Sequence, residues 1–209
     1  MIEKLEQYQN DKLKIYYKSQ DERTIKDIEK AVIDGYNKVM EYFEALEFNK
    51  EISIYVYSNI EEFHLEVFGE KREEWGVCLV EGNIIKIVSP ENSGKVHNYN
   101  TILKILSKSV VDIILSYNFD NIPKWLDMAT YITGLNTETK TCSKPSIVKL
   151  NQRDYFNYSD SYFITRYIVE NFGKNIVLEI LKTPDKYNEI LNLSDEDIDR
   201  ELEKYYKIV

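Results

Sequence analysis

Little in the sequence breaks the chain. Its 209 residues include seven glycines and four prolines, too few for a disordered linker of any length. No internal repeat or low-complexity segment interrupts it. No apolar run approaches the ~20 residues that a membrane-spanning helix needs, so no membrane partner is expected. The opening MIEKLEQYQNDK lacks the apolar centre of a secretory signal, and a cytoplasmic location is expected. Cysteine is scarce: Cys78 and Cys142 stand far apart without a CxxC companion and read as structural thiols of a reducing compartment. The two histidines, His64 and His97, are too distant in sequence to form a local metal-ligand pair. Positive charge is short as well. With 27 Lys and Arg against 36 Asp and Glu, the net charge is −9, and no basic block stands out to grip a phosphate backbone. Nucleic acid is not an expected partner.

What the chain does have is periodicity. Residues 1–11 read as a polar lead-in, helical if ordered. Lys12–Lys18 alternates like a strand, and Asp21–Leu46 carries apolar residues every three or four positions, the mark of an amphipathic helix. Ile52, Ile54 and Val56 alternate with polar or tyrosine neighbours as in a half-buried strand. Ser58-x-x-Glu61 predicts a capping box for a short helix ending near Phe68, with Gly69 beyond it. Trp75–Val80 and Ile84–Val88 flank Glu81-Gly82-Asn83 and predict a hairpin with a three-residue connection.

The stretch His97–Gly134 organises the rest. Ile102, Leu106, Val110, Ile113 and Tyr117 recur at helical spacing, with Leu103, Ile105, Val111 and Ile114 widening the face, so a mostly buried helix is predicted. Lys104, Lys108 and Asp112 stand four apart as one polar stripe. Asn118–Asn121 predicts a break, and Pro123 a second helix start. Residues 135–152 read as an extended loop. Asp160–Asn171 reads as a helix capped by Ser159, followed by shorter helices at 174–182 and 184–191. Ser194 then caps a final acidic helix carrying Ile198, Leu202 and Tyr205.

The order of these elements, together with Trp75, Ile85-Lys-Ile-Val-Ser-Pro-Glu-Asn92, Ile122-Pro-Lys-Trp-Leu126, and Tyr158, Ser161, Phe163, Tyr167, Ile168 and Gly173, resembles the gluzincin zinc peptidases of the peptidase MA-like group. The resemblance runs from about residue 12 to 206. It implies a zincin-like α+β fold forming a single domain over 1–209. A small mixed β-sheet with helices would occupy an N-terminal lobe at 12–95, a mainly helical lobe would span 96–209, and a cleft would lie between them.

The same alignment puts Lys108-Ser-Val-Val-Asp112 where the family has HExxH. In HExxH, residues four apart share one helix face, so two imidazoles reach one Zn²⁺ while the Glu activates its water. A protonated lysine cannot ligate zinc, Ser109 cannot act as the base, and Asp112 alone is a poor site. The family's downstream Glu-Gly is missing: Trp125–Tyr131 aligns with two residues deleted or with Met128 in the place of the metal-binding Glu, and Asp127 reaches that place only by realignment. The resemblance therefore implies a degenerate motif at Lys108, Ser109, Asp112, Asp127 and Met128, with no catalytic residue, no metal and no cofactor. Read without the resemblance, Lys108 and Asp112 are an ordinary i,i+4 ion pair worth ~0.3 kcal/mol. Ser107 and Ser109 beside Lys108 do not make a Ser–Lys site, since S-x-x-K spacing would need a serine at Ile105.

Substrate in the resembled peptidases lies along an exposed edge strand, a position held here by Gly76, Val77, Cys78, Leu79 and Val80. Main-chain pairing of this kind survives the loss of catalytic side chains. Tyr162, with Tyr158 and Tyr167, is a candidate for the cleft wall, although core or rim packing suits such residues too. The expected function is a pseudopeptidase that binds a peptide or protein. An active hydrolase with a rebuilt site and a structural domain without a ligand are the alternatives.

Overall fold

The computed structural model describes residues 5–44, 46–135, 144–152 and 157–206. Contacts group the chain into two compact units, one reaching to Ile114 and the other running from Leu115 onward.

A five-stranded mixed sheet forms the frame of the first unit, in the order β1 (Glu6–Gln9), β2 (Leu13–Tyr17), β3 (Ile52–Tyr57), β5 (Ile84–Val88), β4 (Cys78–Glu81). Strand β2 (Leu13–Tyr17) and strand β3 (Ile52–Tyr57) are parallel and joined by helix α1 (Ile25–Tyr42). Alternation places Leu13, Ile15, Tyr17, Ile52, Ile54 and Val56 in the core. The register Ile15↔Ile54 and Ile54↔Ile85 carries that apolar row on into strand β5 (Ile84–Val88). On the opposite face Tyr16 and Tyr55 stack with ring centroids 4.7 Å apart. Helix α2 (Ile60–Phe68) and strand β4 (Cys78–Glu81) complete the connection from β3 to β5.

Four local expectations are corrected here. The lead-in is not helical: Glu6–Gln9 forms β1, antiparallel to β2, and its polar side chains suit a solvent-facing edge. Residues Ser19–Thr24 form a 3-10 turn before α1, with buried Asp21 accepting a 2.5 Å hydrogen bond from the Ser58 hydroxyl. Asn59, not Ser58, caps α2, its side chain accepting from Glu62 N–H, while the Glu62 carboxylate takes the N–H of Ser58. The hairpin turn has two residues, Gly82 and Asn83, with Gly82 at φ 62°, a conformation glycine adopts at little cost.

Helix α3 (Tyr99–Asn118) begins where Asn98 accepts from Thr101 N–H at 2.9 Å. Ile102, Leu106, Val110, Val111 and Ile114 are buried, as their spacing predicts. It crosses α1 closely: a Cβ on Gly35 would lie 2.4 Å from the Ser107 carbonyl oxygen. The Ser107 hydroxyl adds a 3.0 Å bond to Asp34 beside that crossing.

The second unit is helical: α4 (Met128–Thr133), α5 (Ile147–Leu150), α6 (Tyr158–Lys182), α7 (Tyr187–Leu191) and α8 (Asp195–Tyr206). Gly173, at φ 83° and ψ 166°, kinks α6 where two helices are expected. Asn157 rather than Ser159 caps α6, and the Ser194–Asp197 box caps α8 as expected. The core gathers Trp125, Met128, Ile147, Ile164, Ile168 and Ile198.

Pro123 does not open a helix. The Lys124 carbonyl accepts from the Ser161 hydroxyl. Thr165 donates its hydroxyl to the Trp125 carbonyl and accepts the Asp127 N–H. With its backbone groups bonded to α6, the segment turns instead, and the helix waits until Met128. The expected loop contains α5, whose first N–H, on Ile147, binds Asp199 at 2.7 Å. Cys142 lies outside the described residues. Among the described residues no helix is long and apolar enough to cross a membrane.

Candidate functional site

Strand β4 stands at the end of the sheet, with β5 its neighbour on one side. Its register with β5 fixes which backbone groups face outward. Val88 N–H bonds to the Val77 carbonyl at 3.0 Å, and Cys78↔Ile87 and Leu79↔Lys86 follow in antiparallel pairing. Hydrogen-bonded and non-bonded pairs alternate in such a ladder, so Val77, Leu79 and Glu81 turn their N–H and C=O toward β5. Cys78 and Val80 turn theirs away. Among the described residues none bonds to the outward groups of these two. The expected edge strand is therefore shorter than Gly76–Val80: Gly76 and Val77 lead into it, and Glu81 belongs to it.

The lead-in is pinned by both histidines. Buried His64 accepts the Arg72 N–H at Nδ1, which leaves its Nε2–H to donate to the Gly76 carbonyl at 2.8 Å. His97 Nε2 reaches the neighbouring Trp75 carbonyl at 3.2 Å. Both ring nitrogens of His64 are thus engaged by the backbone. Among the described residues no three or more histidine, cysteine or acidic side chains are gathered as a metal site.

Beside this lead-in lies an open groove of about 800 Å³, lined by Phe68, Arg72, Glu73, Trp75, Gly76 and Cys78 among others. Trp75 is 63 % exposed there, a large aromatic surface left to solvent. Its indole N–H bonds to Glu73, and the Arg72 guanidinium sits 5.0 Å above the Phe68 ring. The sequence signal for this groove is Trp75 directly after the charged run Glu70–Glu74, a poor neighbour for a core strand.

Cys78 points from β4 onto α3, where its sulphur lies 3.4 Å from the Ser109 hydroxyl. Burial, the largest influence, pushes the thiol up to about 11, and the Ser109 hydrogen bond pulls the other way. Asp112 and Lys108 also act on it, with opposite signs. The expected polar pair is formed: Lys108 Nζ donates to Asp112 at 2.7 Å, with the lysine side chain 17 % exposed. Ser109 donates to the Ile105 carbonyl at 2.9 Å, an ordinary turn-back within the helix.

The remaining sequence candidates lie in the second unit. Asp127 caps α4, accepting from Thr130 N–H at 3.0 Å and from its hydroxyl at 2.6 Å. Met128 is core. Tyr162 is buried, edge-on to Phe163, while Tyr158 is exposed. Compared with known proteins, the chain matches no family model, no curated protein and no solved structure.

Proposed function

We propose that the chain is a catalytically inactive, zincin-like homologue of the gluzincin peptidases, and that it binds an extended peptide or protein segment along β4. The donor chemistry supports the inactive reading. A lysine ammonium held by Asp112 offers a zinc ion charge repulsion where the resembled motif offers an imidazole. Ser109 has no proton-accepting character to replace a Glu, and Asp127 is engaged as a helix cap. These residues do not fit zinc.

The observation that carries the binding reading is the free pair of outward N–H and C=O groups on Cys78 and Val80 beside the Trp75 groove. An added strand would take its main-chain bonds from those groups and could place a side chain against Trp75 and Phe68. Proline substitution tests it with a sign that depends on register. Val80→Pro removes an outward donor while sparing the β5 ladder, as edge positions tolerate. A peptide selected from a library should lose about fivefold in affinity, the value of roughly 1 kcal/mol for one hydrogen bond. Leu79→Pro removes a ladder bond and should lower folding stability. Absence of any enriched peptide, or unchanged affinity in Val80→Pro, would count against the proposal.

A further inference from the structure

A second recess opens between α1 and the starts of β2 and β3, independent of β4. Its wall is apolar: Leu13, Val32, Phe48 and Ile52 are all buried residues whose side chains meet there. Its volume is about 90 Å³, below the ~150 Å³ that accepts a benzene ring, and so suited to a branched aliphatic end of a few carbons.

Two cations line the same recess, Lys12 and Lys50. Three nearby lysines are matched: Lys14 binds Glu51 at 2.9 Å, Lys26 binds Glu29 at 3.1 Å, and Lys38 binds Asp34 at 2.8 Å. Lys12 instead rests on Tyr36, 3.3 Å from its hydroxyl and 4.7 Å above its ring. No carboxylate among the described residues pairs with Lys12 or Lys50. Glu29, the acid next to the recess through Asn10, already accepts from Tyr8, Asn10 and Lys26.

From this juxtaposition of an apolar recess and two cations without carboxylate partners, we infer that the recess binds a short branched aliphatic carboxylate. The hydrocarbon end fills the Leu13–Phe48 wall, and the carboxylate takes the ammonium groups of Lys12 and Lys50. Such a pairing is stronger than a neutral hydrogen bond and selects the anion over its neutral isostere.

Titration of the whole protein with isovalerate, followed by backbone amide spectra, tests this. Saturable shifts are expected at residues 10–13, 32–36 and 48–52, in the millimolar range proper to so small a ligand. Isovaleramide, equal in shape but uncharged, should bind about tenfold more weakly. The double variant Lys12→Gln, Lys50→Gln should erase that difference. Ile33 is 48 % exposed at the rim, so Ile33→Asp should leave the fold intact while placing a competing carboxylate beside the lysines. It should abolish binding, its own amide spectrum reporting that it is folded. The inference is overturned if isovalerate gives no saturable shift, if the amide binds as well as the acid, or if Ile33→Asp leaves binding unchanged.

Discussion

Tyr99 shows how a single side chain ties the start of α3 to α1 and how that tie responds to pH. Its hydroxyl donates to Asp27 at 2.7 Å. Burial and then the Asp27 hydrogen bond and charge push its phenol up to about 12. A raised folded value means the contribution is complete below the unfolded value of about 10 and is lost as pH rises through about 12. Wild type should therefore exceed Tyr99→Phe in melting temperature at neutral pH, and the gap should close between those limits. A gap that widens with alkali would contradict the assignment. The Lys108–Asp112 pair belongs to the same scale and was legible directly, because residues four apart on a helix face one another. Asp127 was legible only as a carboxylate. Its role as a cap depends on where α4 begins, and Ser161 and Thr165 on another helix decide that.

At the scale of elements, the crossing of α1 and α3 rests on Gly35. The periodicity of α1 predicted the helix but not why a glycine sits inside it, since glycine weakens an exposed helix by about 1 kcal/mol relative to alanine. Close approach to the Ser107 backbone supplies the reason. Gly35→Ala should lower stability by about 1–3 kcal/mol in urea unfolding, the cost of overpacking, despite its better helix propensity. An unchanged or raised midpoint would mean the crossing yields easily. The sheet was legible where one face is buried, in β2, β3 and β5, because alternation there is strict. β1 escaped notice because an edge strand of Glu, Gln and Tyr carries no apolar alternation. The direction of each β4 amide was also hidden. It follows from a turn of two residues rather than three, and a one-residue change in the turn reverses every outward group.

At the scale of the whole molecule, the proposed function combines a donor set unsuited to zinc with a sheet edge whose outward groups at Cys78 and Val80 are open to an added strand. Protein purified without chelators should carry no stoichiometric zinc, and a chelator should leave its unfolding midpoint unchanged. About one zinc per chain, lost together with stability, would refute the inactive reading. The central claim concerns the edge itself, and amide hydrogen exchange of β4 tests it most directly. In the free protein, Leu79 and Glu81 should be protected by β5 while Cys78 and Val80 exchange rapidly. A library-selected peptide should then slow exchange at Cys78 and Val80 and leave the Leu79 and Glu81 pattern as it was. Protection of Cys78 and Val80 already present without peptide, or no change on adding one, would contradict the account.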